Sequence, residues 1–298
     1  MIVITTPTGQ IGRQVLAGVL EGAGAQPVRV IVRDPARLPE EIRRRVEVIE
    51  GSHGDAAVLD RALKGADAVF WLVPPDDQAS SIEEAYVGFA QPAIEAFKRH
   101  GVRRVVGVSA LGRGTSVANR AGHVTATLAM DDLIAGTGVA YRALTNPSFM
   151  DNVLWQAVPI KTQGMFFGPI DGDRKLPSCA TRDIAAAAAR LLLDDTWAGV
   201  AEQPILGPED LSYNDMAEII SEVLGTEVRY QQIPFERFTS TLTGRGMGQA
   251  VAQAMTDMMS AKNAGLDNAV TRTPQNTTPT SFRQWCEDTL KPAVQAQP

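Results

Sequence analysis

Two cysteines in 298 residues, Cys179 and Cys286, are too few and too far apart for a disulfide scaffold or for metal-ligand spacing. They read as reduced thiols of a cytoplasmic protein, and no metal is expected. No apolar run approaches the roughly 20 residues that cross a bilayer, and no secretory apolar segment precedes the first strand. The expectation is a soluble, cytoplasmic chain without a membrane partner. No block of lysine and arginine is long enough to follow a phosphate backbone: Arg43-Arg44-Arg45 reads as a solvated helix end, and the net charge is −6. Nucleic acid is therefore not an expected partner. Internal repeats are absent, and the alanines of 185–189 suit a closely packed helix. What remains is a globular chain, 44% apolar and 21% charged, sized for one large domain with a smaller appendage and expected as a monomer or homodimer.

The chain opens with a short apolar strand that breaks into a glycine-containing turn and then a helix, between Met1 and Arg13. That succession suits a dinucleotide pyrophosphate. A tight turn at Gly9 brings backbone N–H groups to the phosphates, the following helix points its positive end at them, and Gly12 lets that helix approach the strand. Thr6 stands where a three-glycine version would carry its first glycine. Thr5, Thr8, Gly9, Gln10, Ile11 and Gly12 are the candidate cradle.

Strands are expected at Val28–Val32, Val46–Ile49, Ala68–Val73, Val102–Ser109 and Val139–Leu144. Helical spacing separates them, notably over Ile82–His100 and Ala118–Gly136. The alternation predicts an α/β fold: a doubly wound parallel sheet of the Rossmann type over residues 1–150. A smaller C-terminal α/β substrate lobe is expected over 151–298, with the stretch near 180–206 returning to the sheet.

The end of the second strand flanks the adenosine ribose in such a fold, and an acidic residue there selects NAD. This chain has Arg33, whose guanidinium suits the 2′-phosphate of NADP, with Arg37 as a second contact. Asp34 keeps NAD open. Asp55 reads either as an adenine contact or as the N-cap of the helix from Ala56. Leu72, Val73 and Pro74 close the fourth strand at the edge where open sheets hold ligands.

Together, Thr5–Gly12, Val30–Arg33, Val69–Pro74 and Thr137–Asn152 resemble the NmrA-like branch of the atypical short-chain dehydrogenase/reductases. Where that branch commonly reads R-P-x-x-F-M-x-N, this chain has Thr145-Asn-Pro-Ser-Phe-Met-Asp-Asn152, with Thr145 and Asn146 as departures. The resemblance implies NAD(P) binding, in a group containing both reductases and redox-sensing regulators. Ordinary short-chain reductases use a Tyr and a Lys four residues later. The corresponding helix, Gly122–Asp132, has neither, and no Lys occurs between Ala118 and Gly136.

Ser109 and His123 are the remaining catalytic candidates, as donors to a developing oxyanion. Pro147 and Phe149 are assigned to the cofactor; Asn146, Asn152 and Phe166 are assigned to the substrate. The leading expectation is an NADPH-dependent oxidoreductase acting on a quinone or polycyclic aromatic, in the manner of aromatic natural-product tailoring. NADPH-assisted hydroxylation and a non-catalytic NADP sensor are the alternatives.

Overall fold

The apolar start of the chain forms β1 (Ile2–Thr5), buried throughout, and turns into α1 (Gln10–Gly22). The structure is a computed structural model describing residues 1–297. Then follow β2 (Val28–Val32), α2 (Glu40–Arg43), β3 (Glu47–Glu50), α3 (Ala56–Ala62), β4 (Ala68–Trp71), α4 (Phe89–His100), β5 (Arg104–Ala110), α5 (His123–Ala135) and β6 (Ala140–Asn146). Beyond them lie β7 (Ser148–Phe149), α6 (Ala157–Gln163), β8 (Met165–Gly168), β9 (Leu176–Cys179), α7 (Thr181–Leu193), β10 (Val200–Pro204), β11 (Asp210–Leu211) and α8 (Tyr213–Leu224). The chain finishes with β12 (Arg229–Gln232), α9 (Phe235–Gly244), α10 (Gln249–Asn263), α11 (Phe282–Trp285) and α12 (Lys291–Gln295).

Seven strands pair in parallel in the order β10-β6-β5-β4-β1-β2-β3. The sheet is doubly wound, and its order reverses between β1 and β4, the point at which open α/β sheets form a ligand crevice at their carboxyl edge. Side-chain alternation feeds two cores. Ile2, Ile4, Val30 and Phe70 pack under α1 and α7, whereas Val3, Ile31, Val69 and Trp71 pack under α3, α4 and α5. Each fully buried side chain of this kind contributes about 1.5–3 kcal/mol.

The alanine run explains itself in this packing. Helix α7 lies so close on α1 that a Cβ at Gly18 would stand 3.1 Å from the Ala189 Cβ, a spacing that admits only small residues. Thus α7 and β10, although late in sequence, belong to the sheet's layers. The lobe has its own core, including Met150, Phe166, Ile220, Phe282 and Trp285, and two small sheets, β11-β9-β7 and β12-β8.

Two helices differ from their expected spans. The stretch before α4 is a π-helical turn, Glu84–Gly88, and Pro92 lies inside α4. Pro92 offers no N–H to the Gly88 carbonyl, so the turn widens there. Before α5 the chain forms a separate 3-10 turn, Ala118–Arg120, and breaks at Gly122, whose φ of +51° and contact with Ala254 exclude a side chain: a Cβ would lie 1.9 Å from the Ala254 carbonyl oxygen. Among the described residues no helix is long and apolar enough to cross a membrane.

Candidate active site

The turn between β1 and α1 is wound around Thr6. Its φ of +49° is the left-handed conformation that a glycine would adopt freely. The Thr6 carbonyl accepts the Gly9 amide at 3.0 Å, closing the turn. Gly12 then passes so near that a Cβ on it would stand 2.0 Å from the same oxygen. No side chain caps α1 at Gly9, leaving its first-turn amides to a ligand, and the buried Thr6 hydroxyl has no partner in the fold. An enclosed polar atom, amides without a cap and space kept open by glycine suit a diphosphate anion.

The neighbouring expected residues divide sharply. Thr8 and Gly9 are half-buried on the turn, while Ile11 is buried in the core beneath α1. The Thr5 hydroxyl donates to the Phe70 carbonyl at 2.9 Å and accepts the Leu72 amide at 3.2 Å, so it ties β1 to β4 and has no free side-chain group. Gln10 also turns away, donating to Asp151 Oδ1 at 2.6 Å. Asp151 further accepts from the Thr181 amide and hydroxyl, both at 3.0 Å, so one buried carboxylate fastens the starts of α1 and α7. Its two partner residues lie 141 and 30 positions away along the chain, so no local pattern points to it.

At the end of β2, Arg33 and Arg37 are exposed, whereas Asp34 caps the next turn by accepting the Ala36 amide at 3.0 Å. Asp55 caps α3: Oδ1 accepts from the Ala57 and Val58 amides at 2.8 and 3.1 Å, which is the capping alternative of its two readings. Leu72, Val73 and Pro74 are half-buried at the carboxyl end of β4. Behind them His53 is wedged edge-on between Trp71 and Phe89, with Nε2 3.0 Å from the Leu72 carbonyl. Burial holds its pKa down to about 4, and the Arg33 charge adds to the effect.

Three further candidate residues are engaged inside the fold. Ser109 donates to the buried carboxylate of Asp131, which also accepts the Tyr141 hydroxyl at 2.5 Å. Ser109 therefore has its proton engaged inside the fold. Burial pushes Asp131 up to about 6, against the pull of those two donors. Asn146 spends its amide protons on the Ser109 and Leu144 carbonyls, at 3.0 and 2.7 Å, joining β5 to β6 instead of meeting a substrate. Phe166 is in the lobe's core, 5.2 Å from the Tyr230 ring and 6.2 Å from Tyr213. Pro147 is buried and Phe149 half-buried against the sheet core; Asn152 is exposed on the following 3-10 turn.

His123 opens α5. Its Nδ1 lies 3.3 Å from the Tyr86 hydroxyl, and its enclosed Nε2 has no well-formed hydrogen bond. Burial holds the imidazole below its usual pKa, opposed by the Val251 carbonyl and the Asp77 charge, so the ring is neutral near pH 7. Tyr86 comes from the π-helical turn, 37 residues before its partner, so the contact escapes a local sequence pattern. A cavity of about 640 Å³ opens between Ile82, Val117, Thr125 and Ser260, but its walls include neither His123 nor the glycine turn, and it is not this site.

The family profile described as NmrA-like matches residues 1–285. The chain belongs to the NmrA-like family. The chain is 30% identical over 289 residues to the (4-alkanoyl-5-oxo-2,5-dihydrofuran-3-yl)methyl phosphate reductase of Streptomyces griseus, covering 96% of each chain. It is 28% identical over 271 residues to quinone oxidoreductase 2 of Escherichia coli, covering 89% of this chain and 90% of that one. The NmrA-like fold superposes on the NADP(H) complex of Citrobacter sp. triphenylmethane reductase with a TM-score of 0.81 at 20% identity, over 98% of this chain and 100% of the other.

Proposed function

We propose that this protein is an NADPH-dependent oxidoreductase that reduces a flat, conjugated acceptor of the quinone class. The observation that carries the reading is the turn at Thr6, Gly9 and Gly12, where a left-handed threonine, an unpartnered buried hydroxyl and a glycine-only contact leave a cradle for a diphosphate. The relatives named as reductases support the redox chemistry, and the Escherichia coli relative supports a quinone.

In this reading the amides at the start of α1, with the Thr6 hydroxyl and the Thr8 backbone, hold the pyrophosphate. Arg33, joined by Arg37, pairs with a 2′-phosphate, while Asp34 has one carboxylate oxygen engaged in its cap. Val73, Pro74, Pro147 and Phe149 line the carboxyl edge beside the nicotinamide. Reduced nicotinamide, when bound, supplies hydride. A conjugated carbonyl that accepts hydride develops negative charge on oxygen, which the chain must stabilise without a Tyr/Lys pair on α5. His123, a neutral imidazole at the positive end of α5, is the donor assigned to that oxygen. The remaining proton comes from water.

Stopped-flow oxidation of NADPH with a panel of naphthoquinones tests the proposal. Enzyme-dependent turnover is expected; tight NADPH binding without turnover of any acceptor would transfer the assignment to an NADP sensor.

A further inference from the structure

Resting on that reading, we infer that Tyr86 is a positioning residue for His123: its hydroxyl donates to Nδ1 and thereby presents the proton on Nε2. The family's usual helix carries no tyrosine here, and the tyrosine instead reaches α5 from the π-helical turn of a different segment. Such turns widen the backbone and re-aim a side chain, which is a reason for keeping one at a functional position.

We take the phenol as the donor in this contact. Tyr86 and His123 lie 3.3 Å apart with rings nearly perpendicular, at 83°. A neutral imidazole has one N–H and one acceptor nitrogen, so whichever nitrogen Tyr86 engages fixes the other. Four groups face the pair: the Val251 carbonyl from α10, Asp77 from the β4–α4 loop, Thr127 from α5 and Tyr86 itself. The Val251 carbonyl can only accept, and the Asp77 carboxylate favours positive character on the ring. Both favour keeping a proton on the ring. The Thr127 hydroxyl donates to the His123 carbonyl at 2.9 Å. Burial keeps the phenol protonated and able to donate. The resulting Nε2–H has no well-formed partner within the fold.

This ring sits where two parts of the molecule meet. Gly122, immediately before it, is pressed on the Ala254 carbonyl of α10. The Gly248 amide at the start of α10 donates to the Asp77 carbonyl at 2.7 Å, and Gln78 Nε2 donates to the Gly246 carbonyl at 2.6 Å. In this inference a conjugated acceptor bound at this seam would meet a fixed hydrogen-bond donor, so that charge stabilisation is oriented before any proton moves.

Nitrogen-15 NMR of ring-labelled protein at pH 7.5 tests the inference without relying on turnover. Wild-type His123, identified by its loss in His123→Gln, should be neutral with Nε2 protonated. Tyr86→Phe, which removes only the hydroxyl, should move a measurable fraction to the Nδ1-protonated form. Tyr86→Phe should also lower kcat about tenfold with 2-methyl-1,4-naphthoquinone while leaving KM for NADPH unchanged. A wild-type ring protonated on Nδ1, or a tautomer unaltered by Tyr86→Phe in folded protein, would overturn the inference. If the NMR result holds but wild type turns over no quinone, the hydrogen-bond assignment stands and the reductase reading falls.

Discussion

A side-chain carbon at Gly12 would stand 2.0 Å from the carbonyl oxygen of Thr6, well inside van der Waals contact. Gly12→Ala must therefore displace either the turn or the first coil of α1. The expected cost is about 1–3 kcal/mol of stability by overpacking. NADPH affinity should fall at least tenfold, because the amides of α1 move with the turn. Chemical denaturation and titration calorimetry on the same preparation check both quantities; a variant that keeps wild-type affinity would show that the contact does not shape the cradle.

Thr6→Gly separates strain from binding. The left-handed backbone costs a threonine about 1–2 kcal/mol, partly offset by the flexibility that a glycine adds to the unfolded chain. Folding stability should hold or rise by up to about 1 kcal/mol. Affinity for NADPH should nonetheless drop several-fold, since the one buried hydroxyl of the turn is lost. Stability and affinity falling together would contradict the role given to Thr6.

Exchange of Arg33 for an acid tests cofactor choice. With Asp34 engaged in its cap, Arg33→Glu should lower the NADPH-to-NADH affinity ratio at least tenfold, since a charge-assisted contact becomes a like-charge encounter. Calorimetry with both nucleotides reads the ratio directly. An unchanged ratio removes Arg33 from the 2′-phosphate.

Asp131 and His53 act oppositely on stability between about pH 4 and pH 6. The folded pKa of Asp131 is raised to about 6, so the native state holds a proton that the unfolded chain has released, and stability is lost as pH rises through that interval. His53 is depressed to about 4, so the unfolded chain binds the extra proton below 6.5, and stability is lost as pH falls. Each accounts for roughly 3 kcal/mol at most. Relative to wild type, Asp131→Asn should make stability rise more steeply with pH from 4 to 6, and His53→Gln should make it rise less steeply or fall. Urea denaturation at several pH values checks the pair.

The parts of the fold legible in the sequence were those fixed by neighbours. The strand, turn and helix at the start, the NmrA-like family and the alternating sheet follow from contiguous patterns. What escaped was set at long range. Ser109 meets Asp131 across 22 residues, Gln10 meets Asp151 across 141, and Phe166 finds Tyr213 and Tyr230 only when β8 pairs with β12. A polar residue at the end of a strand looks equally ready for a ligand or for such a partner. Tyr86 lies in a stretch that reads as helical, but its meeting with His123 is likewise set at long range, across 37 residues.

Titration calorimetry of the folded wild-type protein with NADPH and NADH tests the central claim most directly. The account predicts saturable, one-to-one binding with NADPH preferred by at least tenfold. Heat of dilution alone for both nucleotides, from protein that melts cooperatively, would contradict it.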